Sequence, residues 1–561
     1  MVEMSYGGKD AAVWREFDTQ IKEFVDGGFV LPEAKTSVAW VDKDTLLVGT
    51  DWGEGSLTTS GYARELRMWK RGQAMEDAKP VITVGTDDVW VFPIVSQADE
   101  GAHILALRGV SFFEREYYPF DVEAGTFADT PLPTPYNADL QGVLEGRAIF
   151  LLREAWEYQE AAYPQGALIG LDLASLEAEL VFEASATQSV EDVGVGKSNI
   201  IIQYLDDVAG KAARLTRKSA GKWRAKNIKL PPNGVVTLAS SGGGTDDAIV
   251  TFESMTQPDA LFYVSGNNKA EKIIETSPFY DAEGIVVEQR FATSVDGTKV
   301  PYFIMGQEAV LKDGNAPTIQ YGYGGFLAPI LPTYYQDPSR PQHGALAGLM
   351  WVQRGGVMVL SNIRGGSEYG PRWHEAALKE NRQRSFDDFI AISEHLIETG
   401  VTTPQKLGII GRSNGGLLMG AMLTQRPDLY AAIDIGVPLF DMKRYNKLLA
   451  GASWMGEYGN PDKPEEWAYI SEYSPYQKLA ADKPYPKVLF YTSTKDDRVH
   501  PGHARKAAAK LADLGYDFYY YENIEGGHGG TANQDQLAYR TALEYIYFIR
   551  QLMGDTETDG E

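Results

Sequence analysis

The sequence of 561 residues contains no cysteine, which excludes disulfides, thiolate nucleophiles and thiolate metal sites. Histidine is scarce, at seven residues, so few side chains are available as a general base near neutral pH. Basic residues are in the minority, 52 against 77 acidic ones, giving a net charge of −25. Nucleic acid and anionic membrane surfaces both require a basic face, so neither is expected as a partner. The acidity reads as solubility. Long apolar runs are also missing, and no segment is long enough to span a bilayer. The first residues, Met1-Val2-Glu3-Met4-Ser5, carry neither the basic nor the apolar part of a secretory signal. A cytoplasmic location is expected, or a periplasmic one if an upstream segment is missing. Gly554 to Glu561 is polar and acidic and reads as a disordered tail.

The remainder is ordinary for a globular protein, 43% hydrophobic and 23% charged. Its length demands two or three domains. Up to about Tyr280 the chain reads as short β-runs separated by Gly, Asp and Asn turns. Val38-Ala39-Trp40-Val41 with Thr45-Leu46-Leu47-Val48, Ala148 to Leu152, and Asn199 to Tyr204 are examples. A similar strand entry recurs near Val38, Val89, Gln141, Val190 and Val235, at intervals of roughly 45 to 50 residues. That period, with several strands per unit, predicts about five β-propeller blades, with part of another in Val13 to Leu31. An irregular β-sandwich is the alternative. From residue 283 the pattern changes. A hairpin from Ile285 to Met305 is followed by alternating strands and helices, with strands at Pro317–Tyr321, Val357–Ser361, Leu407–Gly411 and Val488–Thr492. Helices are expected over Ser385–Thr399, Gly416–Gln425, Gly502–Leu514 and Asn533–Met553. This is a mostly parallel sheet covered by helices on both faces. The expected domains are thus 1–282, 283–553 and a tail, 554–561.

Gly411-Arg412-Ser413-Asn414-Gly415 lies between a strand and a helix of that second domain. A G-x-S-x-G turn there is the nucleophile elbow of an α/β-hydrolase: it holds the serine strained and exposed above the sheet. Such a serine needs a base and a carboxylate, in the chain order serine, acid, histidine. Three histidines follow Ser413. His528, between glycines in Glu525 to Gly530, suits the base. His500 and His503 flank Pro501-Gly502, a poor framework for a metal with Asp496 and Asp497. The acid should follow the strand Val488 to Tyr491, where Asp496 and Asp497 both qualify. The one not used would serve as a helix-start or turn carboxylate. An oxyanion hole is expected from the backbone N–H of Asn414 and from the glycine-rich loop Tyr321-Gly322-Tyr323-Gly324-Gly325-Phe326.

These segments, together with Asn362-Ile363-Arg364-Gly365-Gly366-Ser367-Glu368-Tyr369-Gly370, Asp496-Asp497-Arg498-Val499 and Gly527-His528-Gly529, occur in the order found in prolyl oligopeptidases, which the chain resembles over nearly its whole length. The resemblance implies Ser413 as nucleophile, Asp496 as acid and His528 as base. It implies an oxyanion donor at the Tyr323 hydroxyl beside Asn414. Arg498 would hydrogen-bond the substrate backbone one residue before a proline. Trp454 would stack on the proline ring, with Phe326, Tyr458 and Val499 completing the pocket and Leu439 where the family often has valine. Without the resemblance, Trp454 and Tyr458 read as core and Arg498 as a surface ion pair. The implied activity is hydrolysis of short peptides after proline through an acyl-enzyme, without cofactor or metal, by a monomer or weak oligomer. An esterase or acylaminoacyl-peptidase activity, or an impaired form acting as a binding module, are the alternatives. Relative to the family's seven blades the chain is expected to begin inside the propeller, and missing blades would leave open strand edges.

Overall fold

The computed structural model describes residues 1–98, 101–218, 221–242, 244–278, 281–334 and 348–554. The tail expected from Gly554 lies, beyond that residue, outside the described residues.

Among the described residues, the first half contains five antiparallel four-stranded sheets. Their opening strands are Ser37–Asp42, Trp90–Ala98, Asp139–Leu144, Gln188–Val195 and Val235–Ser240, so the recurring strand entries of the sequence each begin a sheet. A three-stranded sheet of Val2–Met4, Ala12–Arg15 and Val30–Ala34 precedes them, where part of a blade was expected.

Within a sheet, burial falls from the second strand to the fourth. Asn199–Asp206 is buried almost throughout, whereas Trp223–Asn227 and Ala270–Glu275 are largely exposed. The exposed strands carry Lys, Arg and Glu, which discourage pairing at an open edge. The inner strands are rich in β-branched residues, because both of their faces are covered.

The apolar clusters join consecutive sheets. Leu47 and Leu66 pack with Val91 and Ala106; Leu105 and Tyr117 with Phe150 and Ile169; Ile149 and Leu168 with Ile200 and Ile202; Ile201 and Ala212 with Val236 and Val250. Consecutive sheets therefore bury their facing surfaces against one another, the packing of propeller blades.

The second half is built on one eight-stranded sheet. Its strands are β1 (Ile285–Thr293), β2 (Lys299–Gln307), β3 (Thr318–Tyr321), β4 (Val357–Ser361), β5 (Leu407–Arg412), β6 (Ala432–Gly436), β7 (Val488–Ser493) and β8 (Phe518–Asn523). They lie in the order β1-β2-β4-β3-β5-β6-β7-β8. The β1–β2 hairpin is antiparallel, β2 pairs antiparallel with β4, and β3 to β8 run parallel. The helices α1 (Gln383–Glu398), α2 (Asn414–Gln425), α3 (Gly502–Asp513) and α4 (Gln534–Phe548) match the four expected, except that Ile549–Met553 continues α4 as a wider π-turn. Strands β3 to β7 are buried along their length, as parallel strands covered by helices must be.

Candidate active site

Ser413 directly follows β5 and is the N-cap of α2. Its backbone sits at φ 57°, ψ −114°, a conformation that costs a non-glycine residue roughly 1–3 kcal/mol. The turn is tight enough that a Cβ on Gly411 would lie 2.5 Å from the Gly415 carbonyl oxygen. Only glycine fits there, and the strain aims the serine hydroxyl out of the sheet top.

His528 Nε2 lies 3.1 Å from Ser413 Oγ, and His528 Nδ1 lies 2.8 Å from Asp496 Oδ2. The other oxygen, Oδ1 of Asp496, accepts from the backbone N–H groups of Arg498 (3.0 Å) and Val499 (2.9 Å). Asp496 and His528 are both buried. The chain of contacts can pass a proton from serine to imidazole while a fixed carboxylate steadies the resulting cation.

Asp497 points elsewhere. Its carboxylate accepts from the backbone N–H of Asp10, Oδ2 at 3.1 Å. Expected as a helix-start or turn carboxylate, it sits in the bend after β7 and holds the N-terminal segment. That segment continues across the histidine loop, where Gly527 N–H donates to the Gly7 carbonyl at 2.8 Å.

The Tyr323 hydroxyl interacts with the Ser413 side chain, and burial pushes its pKa above that of a free phenol. It therefore remains a proton donor at neutral pH, as an oxyanion site requires. The loop bearing it is gripped at several backbone atoms. The Asn414 side-chain amide donates to Tyr323 O at 2.6 Å, and the Tyr458 hydroxyl donates to Asn414 Oδ1 at 2.6 Å. Phe326 and Leu327 both hold positive φ, 57° and 56°.

Trp454, Tyr458, Val499 and Leu439 share one apolar cluster, with Phe326 packed against it. The Phe326 and Tyr458 rings meet edge-on at 5.7 Å. Arg498 pairs with Asp10, Nη2 to Oδ1 at 2.7 Å, and its side chain is 44% exposed. Burial alone would raise the Asp10 carboxyl, but the hydrogen bond and charge of Arg498 more than offset this and lower it.

His500 and His503 each use Nδ1 on backbone N–H groups, His500 on Gly502 and His503 on Phe440 and Asp441. Burial lowers the His503 pKa to about 4. Among the described residues no group of three or more His, Asp or Glu side chains is arranged to hold a metal.

Two family models match the chain: "Prolyl oligopeptidase, N-terminal beta-propeller domain" over residues 2–277 and "Prolyl oligopeptidase family" over 346–555. An uncharacterized peptidase of Sinorhizobium fredii is 42% identical over 99% of this chain and 76% of its own length. The chain belongs to the prolyl oligopeptidase family. It is a peptidase with the family's propeller and hydrolase domains. A prolyl endopeptidase of Elizabethkingia miricola is 39% identical over 59% of this chain and 46% of its own length. Among solved structures, a post-proline cleaving enzyme from Rickettsia typhi is 32% identical, with a TM-score of 0.92, over 98% of this chain and 81% of that one.

Beyond the residues read from motifs, the structure brings four side chains of the family's two domains to the pocket. The rings of Phe112 and Phe113, on a propeller loop, meet Phe326 at 5.4 Å and His374 at 4.9 Å. Glu457 and Arg382 lie buried beneath the Tyr323 loop. Glu457 had a local signal, a carboxylate inside the aromatic segment Ser453 to Gly459. The others lie in stretches with no motif of their own.

Proposed function

We propose that the chain hydrolyses short peptides on the carboxyl side of proline through an acyl-enzyme. The carrying observation is the Ser413–His528–Asp496 hydrogen-bonded chain, with Phe326, Trp454 and Tyr458 gathered in one apolar cluster of the same domain. In this reading His528 takes the Ser413 proton as Oγ attacks the carbonyl, and later returns it to the leaving amine. The Tyr323 hydroxyl and the Asn414 N–H receive the oxyanion. The indole of Trp454 presents a flat face to a pyrrolidine ring. Arg498 exchanges its Asp10 partner for, or shares it with, a substrate carbonyl. The post-proline cleaving activity in the name of the Rickettsia typhi structure supports this reading.

The test compares turnover of matched proline and alanine amide substrates, with labelling of Ser413 by a phosphonate serine probe. A proline preference of ten-fold or more is expected. Equal rates would reduce the reading to a general esterase or acylaminoacyl-peptidase, and a folded sample that resists labelling would overturn catalysis at Ser413.

A further inference from the structure

The loop Tyr323-Gly324-Gly325-Phe326 carries two parts of the proposed site, the oxyanion tyrosine and a wall of the proline pocket. Its conformation is intrinsically poor, since Phe326 and Leu327 both occupy the left-handed region without being glycine. Something outside the loop must hold it. Three groups do so from below. Arg382 Nη1 donates to Gly324 O at 2.6 Å, with Ser385 Oγ on the same oxygen at 3.2 Å. Glu457 Oε1 accepts from the Phe326 N–H at 3.2 Å and also from Arg382 Nη2. His374 Nε2 lies 2.7 Å from Glu457 Oε2.

Glu457 is fully buried and Arg382 nearly so. A carboxylate in such a place is retained only if paired and hydrogen-bonded. Burial raises its pKa, but the charges of Arg382 and His374 more than offset this and keep it low, so it is ionised. Asn414 and Glu457 together close the space beside Gly325: a Cβ there would lie 2.5 Å from Asn414 Nδ2 and 3.1 Å from Glu457 Oε1. The two oxygens of one carboxylate thus bind a backbone amide of the loop, the arginine that holds the next carbonyl, and a histidine whose ring meets Phe113.

We propose that Glu457 is a positioning residue for the Tyr323 hydroxyl and for the Phe326 wall of the pocket. This rests on the reading of Tyr323 as an oxyanion donor. A merely structural ion pair would affect stability. A positioning residue acts through Tyr323, and its loss must overlap with loss of that hydroxyl.

The test is a double-mutant cycle with Tyr323→Phe and Glu457→Gln, read as kcat and KM on a proline amide and on an activated ester. Removing one oxyanion donor costs on the order of 10²–10³ in kcat. Glu457→Gln alone is expected to lower kcat at least ten-fold with a smaller change in KM, and to add less than about three-fold to Tyr323→Phe. If Glu457→Gln does not fold, His374→Gln removes one partner while leaving the Arg382 pair. The same overlap with Tyr323→Phe is then expected, at smaller size. Additive losses on both substrates, or a lowered melting temperature with unchanged kcat, would overturn the proposal. Failure of the wild-type chain on the proline amide but not on the ester would instead count against proline specificity, leaving the cycle readable on the ester.

Discussion

At the scale of single residues, Ser413 combines chemistry with backbone strain, and the two separate in mutants. Ser413→Ala keeps the strained φ and is expected to lower kcat by on the order of 10⁶ with an unchanged melting temperature. Ser413→Gly loses turnover equally but relieves the left-handed backbone, and should unfold at higher denaturant by about 1 kcal/mol. Chemical denaturation of the two variants side by side measures the strain; equal midpoints would show there is none. Asp496 and Asp497 form a second contrast. Asp496→Asn keeps its oxygen on the Arg498 and Val499 N–H groups and turns a donor N–H₂ toward His528 Nδ1, fixing the wrong tautomer; it is expected to reduce kcat about 10⁴-fold. Asp497→Asn alters the contact with the N-terminal segment at Asp10, and its kcat should stay within about three-fold of wild type. Steady-state kinetics on both decides which carboxylate serves His528. Trp454→Ala should erode discrimination between proline and alanine amides more than it slows an activated ester; equal losses on both would make Trp454 a packing residue only. The serine, the histidine and the strand before the acid were legible because each sits in a local pattern. The choice between the two aspartates came from the family resemblance and from no local pattern, since it depends on which one the histidine loop reaches across 32 residues of chain. Asp10 was beyond any local reading, lying 488 residues from its partner Arg498.

At the scale of elements, the path from β5 through the serine turn to α2 is limited by backbone contact rather than by side-chain packing. A methyl at Gly411 would meet the carbonyl oxygen, carbonyl carbon and Cα of Gly415 within 3.0 Å, and backbone atoms cannot rotate aside. Gly411→Ala should therefore cost about 1–3 kcal/mol and displace Ser413 from His528. Thermal melting and phosphonate labelling rate should fall together. A stable variant that labels normally would show that the turn can open without consequence. The same logic explains what was readable of the fold. Strand β6, with Asp434 buried within it, was not among the strands expected. The others from β3 to β7 are mainly apolar stretches, and the propeller strands recur at a nearly constant interval. Both follow from burial, which composition records. The Tyr323 loop is different. Its shape is held by Arg382 and Ser385 from one other segment and Glu457 from another, so its glycines announce a turn without saying which one.

At the scale of the whole molecule, the propeller and hydrolase domains meet through polar contacts whose charge state varies with pH. Glu191 of the propeller accepts from Ser367 Oγ at 2.8 Å, and the next residue, Glu368, is buried with Oε1 accepting from the Ile330 N–H at 3.0 Å. Among the described residues Glu368 Oε2 and Asn362 Oδ1 are buried and make no hydrogen bond of good geometry, although the Asn362 side chain lies close enough to act on the Glu368 carboxyl. A proton on Oε2 supplies a donor between them. Burial pushes Glu368 up to about 8, with the charge of Glu191 adding to it, and burial pushes Glu191 up to about 7 against the attraction of Arg153. Both carboxyls thus bind a proton more tightly in the folded protein than in the unfolded chain. Their contribution is complete below the unfolded value of 4.5 and declines as pH rises through the folded values. The decline is at most about 1.4 kcal/mol per pH unit for each group. Glutamine at 368 stays neutral, keeps an acceptor for the Ile330 N–H and brings an N–H donor toward Asn362. Glu368→Gln should therefore match wild type near pH 5 and melt several degrees higher near pH 9, with a shallower loss of stability in between. Melting curves across that range, on both proteins, test the assignment. Parallel profiles would mean that Glu368 is ionised in the folded protein and that the interface tolerates a buried charge.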